Sequence, residues 1–242
     1  MIARLLPAEE SAAGGGRVHS AVVRTIAAWV LGGRYRPGEN LPREDDLAGE
    51  IGVSRTSLRE AVKVLSAKGL LEARPRVGVR VRDRAYWRLA DPIVLGWHPD
   101  LAREPELIES LIEARRIIEP AAAELAARRG TEEDLRAIEA AYLAMQRTIP
   151  HDLVACCEAD VAFHRALVAA SHNVVLTSLI GTIAAALRAS FLVTTSLMES
   201  QVKTLSVHKT VLESVRLHDT AAARAAVGRL LDLAAEDYRR RD

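Results

Sequence analysis

The chain has 242 residues, of which 49% are apolar and 4% aromatic, and a formal net charge of +1. That length suggests one or two domains with room for a sizeable core, and abundant alanine with few aromatics favours closely packed helices over a β-sandwich. The absence of any run of about 18 apolar residues excludes an obvious membrane span, and no secretory signal is expected in the opening segment.

In chain order, residues 1–16 read as a flexible leader and Val18 to Leu31 as an amphipathic helix that stops at Gly32-Gly33. A Pro/Gly loop from Tyr35 leads into LPREDDLAGEIGVSRTSLREAVKVLSAKGLL, which runs from Leu41 to Leu71. There Leu47, Ala48 and Ile51 make a short apolar stripe, Gly52 permits a sharp reversal, and Val53 returns to the core. Ser54 caps a second helix whose Leu58, Val62 and Leu65 point inward. Arg55, Thr56, Ser57 and Arg59 are left on the outer face of its first turns. In a helix-turn-helix that end enters the major groove, where arginine bonds guanine O6 and N7 bidentately. After Gly69, Leu70 and Leu71, the stretch ARPRVGVRV alternates as a short basic hairpin with Gly78 at its tip.

The expected fold is mainly α. A winged helix-turn-helix of three helices and a short β-hairpin occupies residues 17–84, and an irregular, proline-punctuated linker occupies 85–105. An all-α antiparallel bundle of about six helices fills 106–242, with breaks near Gly130-Thr131, Thr148 to His151, Ser171 to Asn173, Ser200 and His218-Asp219. Cys156 and Cys157 are adjacent, which is poor geometry for a disulfide, so they read as reduced core residues of a cytoplasmic protein.

Charge is divided unevenly. Arg17 to Arg88 carries fifteen Lys and Arg against eight Asp and Glu, whereas Leu89 to Asp242 carries seventeen against twenty-two. Taken alone, a charge run is usually a solvated face. A basic module on an acidic body is nonetheless the electrostatic footprint of a protein that docks on phosphates with one end.

In the bundle, Asp160 and His164 are four residues apart, so a helix puts both on one face. Such a pair alone is more often a structural hydrogen bond than a metal site, and His208 would have to converge from a later helix. One of the consecutive Arg115 and Arg116 must face nearer the interior if Leu111, Ile112, Ile118 and Leu125 form the buried stripe. Arg188 sits in an apolar helical segment, where a charge needs a partner, and is a second candidate for carboxylate recognition.

The stretch VSRTSLREAVKVLSAKGLLEARPRVG resembles the winged helix-turn-helix of the GntR superfamily, and the helical remainder resembles the effector domain of its FadR-type branch, the FCD domain. WRLADPIVLGW, from Trp87 to Trp97, is similar to the linker of galactonate-operon-type repressors. The resemblance implies that Arg55 and Arg59 reach bases or phosphates, that Ser54 and Thr56 touch phosphates or base edges, and that Gly78 lets the wing approach the minor groove. Asp45 stands where several relatives carry a basic residue, which leaves Arg43 to take over a backbone contact. It further implies a divalent metal of the zinc, nickel or manganese class on Asp160, His164 and His208. The fourth position, a histidine in the family, falls on Leu230. Glu113, Arg115 and Glu119 match an E-x-R-x-x-x-E pattern whose arginine tends to lie by the effector pocket. Arg115 then either clamps an acid's carboxylate or makes a surface salt bridge to Glu113 or Glu119. Asn173 also matches a family position, although its sequence context reads as a helix cap.

The expected function is a repressor, homodimeric on an inverted-repeat duplex operator, that a sugar acid or related hydroxy or carboxylic acid releases. The alternative is a metal-dependent helical-bundle hydrolase with an accessory DNA-binding module. No G-x-S-x-G, P-loop or H-E-x-x-H motif supports the alternative, and Glu158 points away from Asp160 on a helix.

Overall fold

A computed structural model of the chain describes residues 15–74, 78–89, 91–97, 104–194 and 198–239. It divides into two compact units between Asp100 and Leu101. Most of the expected leader lies outside the described residues, while Gly15 and Gly16 already belong to the first helix.

In the N-terminal unit, α1 (Gly15–Leu31), α2 (Glu44–Ile51) and α3 (Arg55–Ala67) precede a hairpin of β1 (Leu71–Arg74) and β2 (Gly78–Val81). Apolar positions at helical spacing on α1 (Val22, Val23, Ile26, Val30) meet Leu47 of α2, Leu58 and Leu65 of α3, and Leu71 and Val81 of the hairpin in one core. The strands are antiparallel, with Leu71 opposite Val81 and Arg74 opposite Gly78. Gly78 therefore opens the second strand rather than forming the tip, and the intervening 75–77 lie outside the described residues. Asn40 bridges Arg80 on the other edge of β2, so the expected loop before α2 also covers a strand edge.

The segment expected to be irregular has structure of its own. After a 3-10 turn at Arg84–Tyr86, α4 spans Pro92–Trp97. Pro92 suits the first helical position, and the Asp91 carboxylate accepts from the Ile93 backbone N–H at 2.9 Å. Val94 is buried in the core of this same unit, against which Trp87, Leu89 and Trp97 also pack. Burial of Val94, rather than helix propensity, accounts for a helix this short.

The second unit is built of α5 (Pro105–Arg129), α6 (Glu132–Thr148), α7 (Leu153–Ala169), α8 (Val174–Ser178), α9 (Ile180–Thr194), α10 (Met198–Arg216) and α11 (Thr220–Arg239). Among the described residues that is seven helices instead of about six, the addition being the five-residue α8. The break expected at Ser200 falls earlier, because α10 already starts at Met198. Local chemistry sets the other ends: Thr131 and Asp134 form a reciprocal capping box at the start of α6, and Asp152 caps α7. Phe163, Leu167, Val211, Val227 and Leu231 make the centre of the main core. No helix is long and apolar enough to cross a membrane among the described residues.

Candidate functional site

The α2–α3 pair is a helix-turn-helix whose second helix starts at a satisfied cap. Gly52 ends α2 in the left-handed region, and the Ser54 hydroxyl accepts from the Ser57 backbone N–H at 3.1 Å. Ser57 is half-buried, its own hydroxyl 3.0 Å from that of Ser54, whereas Arg55, Thr56 and Arg59 are exposed along the outer face of α3. Arg43 is also exposed, immediately before α2, and makes no side-chain cap bond there. Both outer-face arginines touch carboxylates from the first turn of α2. Arg55 Nε lies 2.6 Å from Asp45, and Arg59 Nη2 lies 2.9 Å from Glu44.

The second constellation is buried in the helical unit. Asp160 and His164 of α7 meet His208 of α10, and their donor atoms all lie within 4.8 Å of one another. His208 Nε2 is 3.1 Å from Asp160 Oδ1, and His164 Nε2 is 3.8 Å from the same oxygen. The packing of Phe163 edge-on to both imidazoles fixes the rings from one side.

Each imidazole has an oxygen beside its Nδ1. His208 Nδ1 lies 2.8 Å from the Thr204 carbonyl, an acceptor, so Nδ1 carries the hydrogen and Nε2 is turned toward Asp160. His164 Nδ1 lies 2.6 Å from Glu119 Oε2, which likewise turns its Nε2 to the shared carboxylate. Both Nε2 atoms face Asp160, where a proton on the imidazoles or a shared cation would offset the charge of the carboxylate. Glu119 Oε2, His164 Nδ1 and His208 Nε2 are buried without an aligned hydrogen-bond partner. Nitrogen and oxygen donors, with a carboxylate and a carbonyl behind them, suit a divalent cation.

Glu119 was not among the residues singled out for the site, yet it links the parts. It is fully buried on α5, and Arg115 Nε donates to it at 2.6 Å. Arg115 is therefore the inward member of the arginine pair, while Arg116 is exposed and paired with Asp232. Burial pushes the Glu119 carboxyl up, but the Arg115 cation and His164 outweigh it and hold it at about 2. Burial likewise opposes ionisation of Asp160, and His208, His164 and Arg115 bring that carboxyl to about 2.

The remaining expected residues have other partners. Arg188 makes a two-point ion pair with Glu158 at 2.8 and 2.7 Å, joining α9 to the outer face of α7. The Asn173 side chain caps α8 by accepting from the Val175 and Leu176 backbone N–H groups. Leu230 is buried in the main apolar core with Phe163 and Val211, where it supplies packing and no donor. Cys156 and Cys157 are both buried free thiols, and burial pushes the Cys156 thiol up to about 11.

A winged helix-turn-helix with an arginine-bearing outer helix, followed by a helical domain holding a buried carboxylate–imidazole cluster, defines a two-domain DNA-binding regulator. The chain belongs to the GntR family of bacterial regulatory proteins: residues 19–81 match that family and residues 110–233 match the FCD domain. It is 36% identical over 206 residues to the galactonate operon transcriptional repressor of Escherichia coli (strain K12), covering 85% of this chain and 90% of that one. It is also 31% identical over 194 residues to the transcriptional regulator LutR of Bacillus subtilis (strain 168), covering 80% and 86%. Its fold resembles that of the Lar regulator of Listeria monocytogenes, with a TM-score of 0.67 at 22% identity over 96% of this chain and 99% of that one. These relatives are transcriptional regulators and the family is not one of enzymes, which sets aside the hydrolase alternative.

Proposed function

We propose that the protein is a repressor that leaves its operator when a small acidic metabolite, a sugar acid or a related hydroxy acid, binds its helical domain. The observation that supports this most is the buried convergence of Arg115, Glu119, Asp160, His164 and His208, an expensive arrangement for stability alone. The sugar-acid class is favoured by similarity to the galactonate operon repressor.

Asp160, His164 and His208 would hold a divalent ion of the zinc, nickel or manganese class. Such an ion supplies a Lewis-acidic contact for the oxygens of a carboxylate and a neighbouring hydroxyl. Glu119 and the Thr204 carbonyl keep the two imidazoles in the donor tautomer, and Arg115 adds positive charge on the same side. In the N-terminal unit, Arg55, Thr56 and Arg59 read the major groove, with Arg43, Ser54 and Ser57 along the backbone and Gly78 at the wing.

Two chains paired through their helical domains would place two α3 helices on an inverted repeat with half-sites about one helical turn apart. Effector binding lowers operator affinity only as far as it prefers a domain arrangement that mismatches that spacing. Linkage makes this reciprocal. Titration calorimetry with and without saturating operator should show effector affinity falling by the same factor as operator affinity falls with effector. Identical effector affinity in both titrations contradicts the proposal.

A further inference from the structure

Glu44 opens α2, and Arg59 lies in the first half of α3. Arg59 Nε is 3.2 and 3.0 Å from the two Glu44 oxygens, and Nη2 is 2.9 Å from Oε2. A guanidinium is a planar fork with five N–H donors, and a carboxylate can engage it along either of two edges. One edge is formed by Nε and the adjacent Nη2, the other by the two terminal nitrogens. Glu44 occupies the first, so the second is turned away from it, on a side chain that is 63% exposed. Either edge presents two parallel N–H donors that match guanine O6 and N7, and with Glu44 on the side edge it is the terminal edge that is left to do so.

We infer that Glu44 is a positioning residue for sequence readout: it grips the side edge of Arg59 and aims the terminal edge at a guanine in the major groove. This rests on the assignment of α3 as the DNA-reading helix. A carboxylate near phosphates weakens attraction to any duplex, so its presence beside Arg59 needs an offsetting benefit. Holding the arginine in its reading geometry before DNA arrives reduces the ordering cost of binding at the correct base. Acidic residues in the first turn of a helix also favour its dipole, and Glu44, Asp45 and Asp46 all serve that end on α2. The dipole accounts for negative charge at that turn but not for the two-oxygen hold on one guanidinium edge. The hydrogen bonds from Arg59 keep the Glu44 carboxyl below its ordinary value, so the pair stays ionised at neutral pH. Asp45 makes a separate ion pair, its Oδ1 lying 2.6 Å from Arg55 Nε.

The test uses an operator duplex selected from fragmented genomic DNA with the full chain, and a random duplex of equal length. Affinities for both are measured at fixed salt for the wild type, Glu44→Ala, Glu44→Gln, Arg59→Ala and the Glu44→Ala/Arg59→Ala pair. Both Glu44 variants should lower the preference for operator over random DNA by roughly tenfold, within the range one bidentate arginine–guanine contact discriminates. Affinity for random DNA should hold or rise, and in the Arg59→Ala background Glu44→Ala should change the preference no further. If Glu44→Ala tightens binding to both duplexes equally, or lowers the preference as much without Arg59, the buttress is overturned. If the wild type shows no operator preference, the DNA-reading assignment itself fails.

Discussion

Glu119 Oε2 lies 2.6 Å from His164 Nδ1, so a carboxylate of α5 sets the orientation of an imidazole on α7. The same carboxylate accepts from Arg115, which ties the expected effector arginine to the expected metal cluster through one fully buried residue. Glu119→Gln and Glu119→Ala both remove the charge that pairs with the buried Arg115 and should each cost about 3–5 kcal/mol, Gln less than Ala because it keeps the shape and one acceptor. In Glu119→Gln, zinc affinity should fall roughly 10–100-fold through loss of the orienting partner. Urea unfolding and competitive zinc titration measure the two effects, and wild-type zinc affinity in Glu119→Gln would refute the orienting role.

Stability should fall in acid for a specific reason. The Glu119 and Asp160 carboxyls are held at about 2, below their ordinary values near pH 4 in the unfolded chain. Depressed folded-state values give stability that is present above the unfolded value and lost as pH falls toward the folded one. Unfolding free energy should therefore decline most steeply from about pH 5 downward, and Glu119→Gln should flatten that slope relative to wild type. Parallel profiles for the two proteins would show that Glu119 is not ionised by its neighbours.

Two left-handed glycines should respond differently to alanine. At Gly69, where φ is +82°, a Cβ would lie 2.0 Å from the Tyr86 carbonyl oxygen, because the chain after the wing crosses directly over the end of α3. At Gly52, where φ is +76°, nothing lies within 4 Å. Gly52→Ala should cost about 1 kcal/mol from backbone strain alone, and Gly69→Ala about 3 kcal/mol or more. Thermal unfolding of the two variants decides this, and equal losses would contradict the close approach.

Lys68, just past α3, pairs with Asp91 at 2.6 Å, and the Arg88 backbone N–H donates to the Lys68 carbonyl. Burial raises the Asp91 carboxyl, but the Lys68 ammonium and the Ile93 backbone N–H outweigh it and leave it below its ordinary value. Asp91→Ala removes both the pair and a cap of α4, and should cost about 1–2 kcal/mol. Amide exchange across Pro92–Trp97 should speed up with it; unchanged exchange there would mean that Val94 packing alone holds α4.

What could be read from the sequence was what is local. The Ser54 cap, the Gly52 reversal and the inward Leu58 and Leu65 each depend on neighbours within a turn or two, and each is found in place. The shared face of Asp160 and His164 follows from helical spacing in the same way. Partnerships between helices were not legible. Glu119 appeared in a pattern with Arg115, yet only the packing of α5 on α7 brings it to His164. Asp45 read as a missing basic contact, although across the α2–α3 turn it is a partner of Arg55. The short helices α4 and α8 escaped because so few residues carry no period. Val94 burial and the Asn173 cap define them instead.

The most direct measurement is operator release. Fluorescence anisotropy of the full chain on its operator would be followed while sugar acids and short hydroxy acids are titrated, with and without a metal chelator. One acid should release the DNA at concentrations where its neutral analogue does not, and chelator or Arg115→Ala should abolish the response while leaving operator affinity intact. Tight operator binding that no acid disturbs, or release that persists unchanged in Arg115→Ala with chelator present, would contradict the proposed function.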